Sequence, residues 1–525
     1  MTAPHPHRRP SVVLVMVDQL GARWLEHALD GVVPLPNLRR LRDEGVTFAR
    51  AFTPNPVCSP ARATVATGLT GTGHGVTECG YGLDPAVPTF MQALQRHGWV
   101  TGAFGKLHLL PQVVGGTPDY RPYGFDVTHV TEDQRTGAWL DWVEATHPEH
   151  YRAAQATVWM TMTEGLDDHG PDHRDLRAEI EQARRDIVWA TDGCPEADDE
   201  AYPLPFPAEV SQSAWITDRA VEFVAGVPDD TPFFAHVSYV QPHNPFAPPA
   251  AYVPLVDTAR LPEPLPAEWH ATRAPAYFRR DRYPEPSWAS CDWRHDRRMY
   301  FADLAHLDAE LGRLLDCLDR TGRTGDTYVV FTSDHGELLH DHGLLGKWER
   351  HYDACVRVPL LVRGPGLAAA TTRWELVDLG DIAPTVYDLA GLDQPVLPRP
   401  DLGRARVPKR IPMLHGRSLL PLCRGGSGAG WRSAVHIRSD NNHWEASPHS
   451  WCRTIRTARY RYSLFLGGGG EQLFDLVDDP GEQRNLASDP AHKSMRGTLR
   501  DTLTEAIVLD GYPNSPRLLH GIGVW

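Results

Sequence analysis

Cys58 opens the run Cys58-Ser59-Pro60-Ala61-Arg62, which continues in small residues through Thr67 to Gly68. That segment can start a helix just after the cysteine, and a thiol at a helix N-terminus sits where backbone N–H groups and the dipole favour an anion. The chemistry this opens is nucleophilic. The gap to Arg62 is shorter than the Cys-to-Arg spacing of cysteine phosphatases, and a cysteine standing alone is more often a small buried hydrophobe. Cys58 does not stand alone. Asp18-Gln19, Gly105-Lys106-Leu107-His108, Pro242-His243-Asn244-Pro245-Phe246, Ser333-Asp334-His335-Gly336-Glu337 and Gly346-Lys347 add groups of the types active sites use.

Short apolar runs that alternate with stretches of helical period predict an α/β fold, a large mostly parallel sheet covered by helices on both faces. Strands are expected at residues 12–17, 99–104, 233–240, 328–332 and 359–362. Residues 299–318 place Leu304, Leu307, Leu311, Leu314, Leu315 and Leu318 on one face, as a helix packed on that sheet requires. Ligands of open α/β sheets gather beyond the carboxyl ends of the strands. Asp18 and Gln19 follow the first expected strand, Lys106 and His108 the second, His243 the third, and Asp334 and His335 the fourth.

The eleven prolines of residues 241–287 predict a long loop that walls a pocket. Residues 110–207 read as an irregular insertion with charged helical stretches such as 172–187. Strand-like runs at 433–438, 451–456, 460–465 and 472–476, followed by a terminal helix, predict a small antiparallel sheet beside the main domain. The expected division is residues 1–395 for the catalytic domain and 396–525 for the C-terminal subdomain.

In 525 residues, 52 Lys plus Arg face 67 Asp plus Glu, a net charge of −15, which excludes a broad binder of nucleic acid or anionic membrane. An anionic substrate must therefore meet a local cluster of cations. With 41% hydrophobic and 23% charged residues the chain is ordinary globular material. No apolar run approaches the ~20 residues of a membrane span, and the N-terminus lacks a signal-peptide core, so a cytoplasmic protein is expected. The eight cysteines are scattered, with neither a C-x-x-C pair nor a zinc spacing.

Taken together and in this order, these segments resemble the type I sulfatases, formylglycine-dependent members of the alkaline phosphatase superfamily. The resemblance extends to Leu473-Phe474-Asp475-Leu476, Asp479-Pro480-Gly481-Glu482 and Asn485-Leu486, typical of the family's C-terminal part. It implies an alkaline phosphatase-like fold and a sulfatase that cleaves a small-molecule sulfate monoester to an alcohol or phenol plus sulfate. Cys58 resembles the cysteine that a formylglycine-generating maturation enzyme oxidises to formylglycine (3-oxoalanine), with Pro60 and Arg62 completing the recognition motif. The hydrated aldehyde carries two hydroxyls. One attacks sulfur, and deprotonation of the other expels sulfate, an exit that a thiolate adduct lacks.

The resemblance further implies one divalent metal held by Asp18, Gln19, Asp334, His335 and the modified Cys58. Ca2+ is the first expectation, with Mn2+ or Mg2+ as alternatives. Many relatives carry Asp where Gln19 stands, so this site has one negative charge fewer. Arg62, Lys106 and Lys347 would offset the sulfate charge. His243 would serve the leaving group and His108 would take the proton that triggers sulfate release, two roles that sequence leaves exchangeable. His74 matches a supporting position near the signature helix, and Cys79 lies where many relatives carry Asn.

The runner-up reading is a phosphonate monoester hydrolase or phosphodiesterase of the same superfamily, whose members tend to lack the Lys106 and His108 pair. A catalytically silent binding scaffold follows if Cys58 stays a thiol. A two-zinc phosphatase or mutase needs more Asp and His ligands, and Ser or Thr at position 58. His340 and His342 read as loop residues near the site, and Trp139 and Trp142 as core or pocket lining.

Overall fold

The computed structural model describes residues 9–111, 118–158, 175–188, 201–266, 292–347, 350–396, 413–440, 451–466 and 470–510. In chain order the first strands are β1 (Ser11–Val17), β2 (Val46–Phe48), β3 (Ala51–Phe52), β4 (Val100–Gly105), β5 (Val127–Val130), β6 (Phe233–Tyr239), β7 (Thr327–Ser333), β8 (Leu360–Arg363), β9 (Thr371–Arg373) and β10 (Val377–Asp378). All but β3 and β10 join one sheet, in the order β5-β4-β6-β1-β7-β8-β2-β9. β8 runs against both of its neighbours, and the other pairings are parallel.

The central strands are apolar throughout because both faces are covered. Every residue of β1, β6 and β7 is buried. Within β1 the alternation is strict: Val13, Val15 and Val17 face one core with Trp24, Trp215 and Leu311, while Val12, Leu14 and Met16 face the other with Val65 and Ile382. The expected leucine-rich helix is Trp293–Arg320, nearly two turns longer at its start because Asp292 caps it by accepting from Arg294 N at 3.0 Å.

Register positions the site. Val17 is paired with Tyr239 on one side and Ser333 on the other, and Gly105 with Ser238. The chain therefore leaves β1, β6 and β7 at one level, which brings Asp18 and Asp334 out side by side, with Lys106 two strands away.

The expected strands at 12–17, 99–104, 233–240, 328–332 and 359–362 all occur, shifted by at most a residue or so at their ends. β2, β5 and β9 were not expected. β5 lies inside the stretch read as an irregular insertion, yet it pairs with β4 at the sheet edge; its four residues, two of them Thr and His, carry too little apolar pattern to show.

Residues 434–475 contain β11 (Ala434–Ser439), β12 (Cys452–Thr457), β13 (Tyr460–Phe465) and β14 (Gly470–Asp475), an antiparallel meander, and a helix follows at Lys493–Asp510. One face buries Ile455, Tyr462 and Leu473 under Leu499 and Leu503 of that helix. The other packs Val435, Ile437 and Phe474 against Phe52, Leu338, Tyr352 and Cys355. That second face braces the segment carrying Lys347.

Of the proline-rich loop, residues 267–287 lie outside the described residues. Its first part holds cis bonds at Gln241–Pro242 and Asn244–Pro245, on either side of His243. Trp139 is a core residue whose Nε1 donates to Val210 O at 3.0 Å. His340 hydrogen bonds Asp296 and His342 stacks on Tyr352 at 4.0 Å between centroids. No helix among the described residues is long and apolar enough to cross a membrane.

Candidate active site

Cys58 is the first residue of the Cys58–Thr67 helix, which begins after extended Val57 and ends at left-handed Gly68. Pro60 falls in the first turn, where its missing N–H costs no hydrogen bond. The helix is buried along its whole length, so the thiol is held by a rigid element. Arg62 lies one turn on, 2% exposed. Its Nη2 donates to Asp18 Oδ2 at 2.9 Å, its Nε to Asp334 Oδ2 at 2.8 Å, and its Nη1 to Lys106 O and Ser238 Oγ, both at 2.8 Å. Arg62 thus pins the ends of β1, β4, β6 and β7 together.

Lys106 follows β4 through Gly105, whose φ of 91° and approach to Ser238 O, 1.9 Å from where a Cβ would stand, admit only glycine. The Lys106 ammonium is fully buried and paired with both Asp18 and Asp133. Burial opposes its charge, but Asp133 and then Asp18 outweigh that and hold its pKa well above the usual lysine range. Asp18 responds in kind: burial and Cys58 push its carboxyl up, but Lys106, His243 and Arg62 together hold it well below the usual carboxylate range. For Asp334 burial dominates, seconded by Asp18, and the shift is upward.

His335 Nδ1 lies 2.9 Å from Gly336 O, an arrangement that keeps the proton on Nδ1 and turns the Nε2 lone pair inward. Nε2 is 3.2 Å from Cys58 Sγ, 3.6 Å from Asp18 Oδ1 and 3.7 Å from Asp334 Oδ1. Gln19, at φ 65°, points its Nε2 at Glu337 Oε2 (2.6 Å) and Asn244 Oδ1 (3.3 Å), which leaves Oε1 facing the cluster. Lys347 Nζ donates to Gln19 Oε1 at 2.9 Å, to Cys58 Sγ at 3.1 Å and to His335 Nε2 at 2.9 Å.

Cys58 is the hub of three groups whose ligating atoms lie within 4.8 Å of one another: Asp18, Asp334 and His335; Asp133 and His243; Cys79 and His108. The expected residues therefore converge on one buried spot. A divalent cation suits the first group together with Gln19 Oε1, which offer two carboxylates, an amide oxygen and one imidazole, an oxygen-rich set for a hard ion. That the Lys347 ammonium bonds three of the expected ligands shows that their lone pairs already converge on positive charge.

Sequence reasoning quoted Glu337 and Asn244 without a role and passed over Glu132, Asp133 and Ser238. Glu132 Oε1 accepts from Leu107 N, His108 N and Tyr120 OH and so shapes the Lys106–His108 segment, where His108 takes φ 46°. The adjacent acids Glu132-Asp133, just beyond β5, were the available signal, hidden because β5 itself was not foreseen. His74, fully buried, contacts Thr64 Oγ1 through Nε2 at 3.0 Å and accepts from Val76 N through Nδ1.

The sulfatase family profile matches residues 10–392, and that for the C-terminal part of N-sulphoglucosamine sulphohydrolase matches residues 340–508. The chain belongs to the sulfatase family. It is a sulfuric ester hydrolase by that membership. It is 30% identical to the multifunctional alkaline phosphatase superfamily protein PehA of Trinickia caryophylli, over 95% of each chain. It is 24% identical to an arylsulfatase of Clostridium perfringens, over 98% of each. Among solved structures, the phosphonate monoester hydrolase of Agrobacterium radiobacter superposes with a TM-score of 0.72 at 25% identity, covering 96% of both chains. This sulfatase-family chain is thus similar to proteins on both sides of the sulfate and phosphonate divide.

Proposed function

We propose that the chain hydrolyses a small-molecule sulfate monoester to an alcohol or phenol plus inorganic sulfate, with Cys58 converted to formylglycine by a maturation enzyme. The observation that carries this reading is the position of Cys58 Sγ, 3% exposed, with Lys347 Nζ at 3.1 Å and His335 Nε2 at 3.2 Å. Formylglycine would supply, as its hydrate, one hydroxyl to take the sulfuryl group and a second to release it. Asp18, Gln19, Asp334, His335 and residue 58 would hold one divalent metal, Ca2+ first and Mn2+ or Mg2+ as alternatives, whose chemistry is to acidify the attacking hydroxyl and polarise a sulfate oxygen.

The chain's own groups have separate tasks. Lys106 and Lys347 place two buried ammonium groups around position 58 to stabilise charge on the transferring oxygens. Arg62, with its nitrogens engaged by Asp18, Asp334, Lys106 and Ser238, keeps the carboxylates aligned and lends a fixed positive charge. His108, grouped with Cys58, would take the proton from the second hydroxyl. His243, whose Nδ1 is 2.7 Å from Asn244 O, is oriented to give one to the leaving oxygen. Residues 1–395 would form the catalytic domain, with 396–525 as the C-terminal subdomain bracing Lys347.

The second reading, a phosphonate monoester hydrolase or phosphodiesterase, is favoured by the similarity to the phosphonate monoester hydrolase of Agrobacterium radiobacter. Lys106 and His108 favour sulfate. Parallel turnover of an aryl sulfate, an aryl phosphonate monoester and a phosphodiester on one preparation separates the two: the sulfate ester is expected fastest, and a phosphonate preference overturns the first reading. The mass of the peptide bearing residue 58 must be about 18 Da below that of the thiol form; an unchanged thiol in a fully active preparation removes formylglycine from the account.

A further inference from the structure

Cys79 has no part in the proposed reaction, yet its sulfur, that of Cys58 and a ring nitrogen of His108 all lie within 4.8 Å of one another. Ser59, the neighbour of Cys58, holds Cys79 from the other side, its Oγ donating to Cys79 Sγ at 3.7 Å. The two thiols differ in access: Cys58 is 3% exposed at the start of a rigid buried helix, whereas Cys79 is half-buried on a loop. That loop turns at Gly80, at φ 95°, where an added Cβ would meet nothing within 4 Å. Closing the sulfurs to the ~2.05 Å of a disulfide therefore asks only the loop to move, and the helix stays in place.

We propose that Cys58 and Cys79 form a reversible disulfide in the unconverted chain, with a peroxide as oxidant. The Cys58 sulfur, with the Lys347 ammonium 3.1 Å away, attacks a peroxide oxygen, giving a sulfenic acid and one water. The Cys79 sulfur then attacks the Cys58 sulfur and forms the S–S bond; the sulfenic hydroxyl leaves with the Cys79 proton as a second water. Two thiols are oxidised and one peroxide is reduced to two waters. The bond keeps Cys58 off the irreversible steps to sulfinic and sulfonic acid and restores it intact on reduction. While it persists, Cys58 is also withheld from conversion to formylglycine. That last consequence rests on the conversion proposed above, whereas the bond itself does not.

The test uses the full chain produced without a maturation enzyme, treated with a small excess of hydrogen peroxide and digested with trypsin without reduction. Cys58 and Cys79 fall on separate peptides, residues 51–62 and 63–96. The expected result is the two joined, about 2 Da below their summed masses and separated by dithiothreitol. In Cys79→Ser, with an unchanged circular dichroism melt, the joined species is absent and the Cys58 peptide gains about 32 Da as sulfinic acid. Wild-type Cys58 that stays free, advances directly to sulfinic acid or pairs with another cysteine overturns the proposal, and needs no variant to be seen. Incubating the reduced and oxidised chains with a formylglycine-generating enzyme gives the second readout, conversion expected in the reduced chain alone. Equal conversion of both sinks the guarding role, whereas a joined pair with conversion of neither sinks the formylglycine reading and leaves the disulfide standing.

Discussion

Gln19 donates its side-chain N–H to Glu337 Oε2 at 2.6 Å, and that bond decides which end of the amide faces Cys58. Glu337 Oε1 meanwhile accepts from Leu339 N and Gly346 N, so one buried carboxylate fixes both the amide and the turn that delivers Lys347. Glu337→Gln keeps the shape but offers one acceptor oxygen where two are needed, and a donor must then face a donor. If Gln19 holds calcium as proposed, affinity for that ion is expected to fall about 10- to 100-fold, the loss ordinary for an outer partner of a metal ligand. Calorimetric titration checks this, and undiminished affinity would show that the Gln19 orientation does not matter for the ion.

Arg62 joins two carboxylates that are each fully buried. Lysine at that position carries the same charge but a single ammonium, which cannot copy the planar fork that meets Asp18 and Asp334 at once. Arg62→Lys should therefore leave one carboxylate uncompensated and destabilise the fold by about 3–5 kcal/mol. The denaturation midpoint measures it. A midpoint equal to wild type would mean that Lys106 alone suffices to hold the carboxylates.

The central strands and the site were legible for the same reason: β1, β6 and β7 are continuous buried apolar runs, and the residue after each is polar where the sheet binds ligands. Short edge strands were not. β5 spans four residues, with Thr128 and His129 half-buried, so it carries neither a run nor an alternation. Its loss concealed Glu132 and Asp133, which shape and pair the Lys106 segment. The part Arg62 plays as a clamp on Asp18 and Asp334, rather than as a group with its nitrogens open toward substrate, needed the register of β1 against β7 to become visible.

Burial, with Arg438 as a lesser cause, lowers the pKa of His74 to about 3, and its Nδ1 accepts from Val76 N, a bond that a protonated ring cannot make. In the unfolded chain the same histidine titrates near 6.5. Above that pH both states are neutral and the contribution of His74 is present in full. As pH falls toward 3 the unfolded chain takes up a proton that the native site refuses, so stability drops by about 1.4 kcal/mol per pH unit. Urea midpoints between pH 7 and pH 4 should show a steeper decline for wild type than for His74→Gln. Parallel curves would mean that His74 protonates without leaving its place against Thr64.

Lys106 bears on whether sulfate or phosphonate is the better substrate, because its ammonium is held by Asp18 while that of Lys347 bonds Cys58 Sγ directly. If it stabilises the transferring group, Lys106→Ala should slow aryl sulfate turnover by about 10²–10³, the range seen when one such electrostatic donor is removed. Asp18 and Asp133 then lose a shared counter-charge, so a thermal melt on the same sample must separate lost chemistry from lost fold. Phosphonate monoester turnover is expected to fall less if Lys106 is the group that selects sulfate. A variant that melts like wild type and loses both activities equally would make Lys106 a counter-ion for the carboxylates rather than a group that selects sulfate.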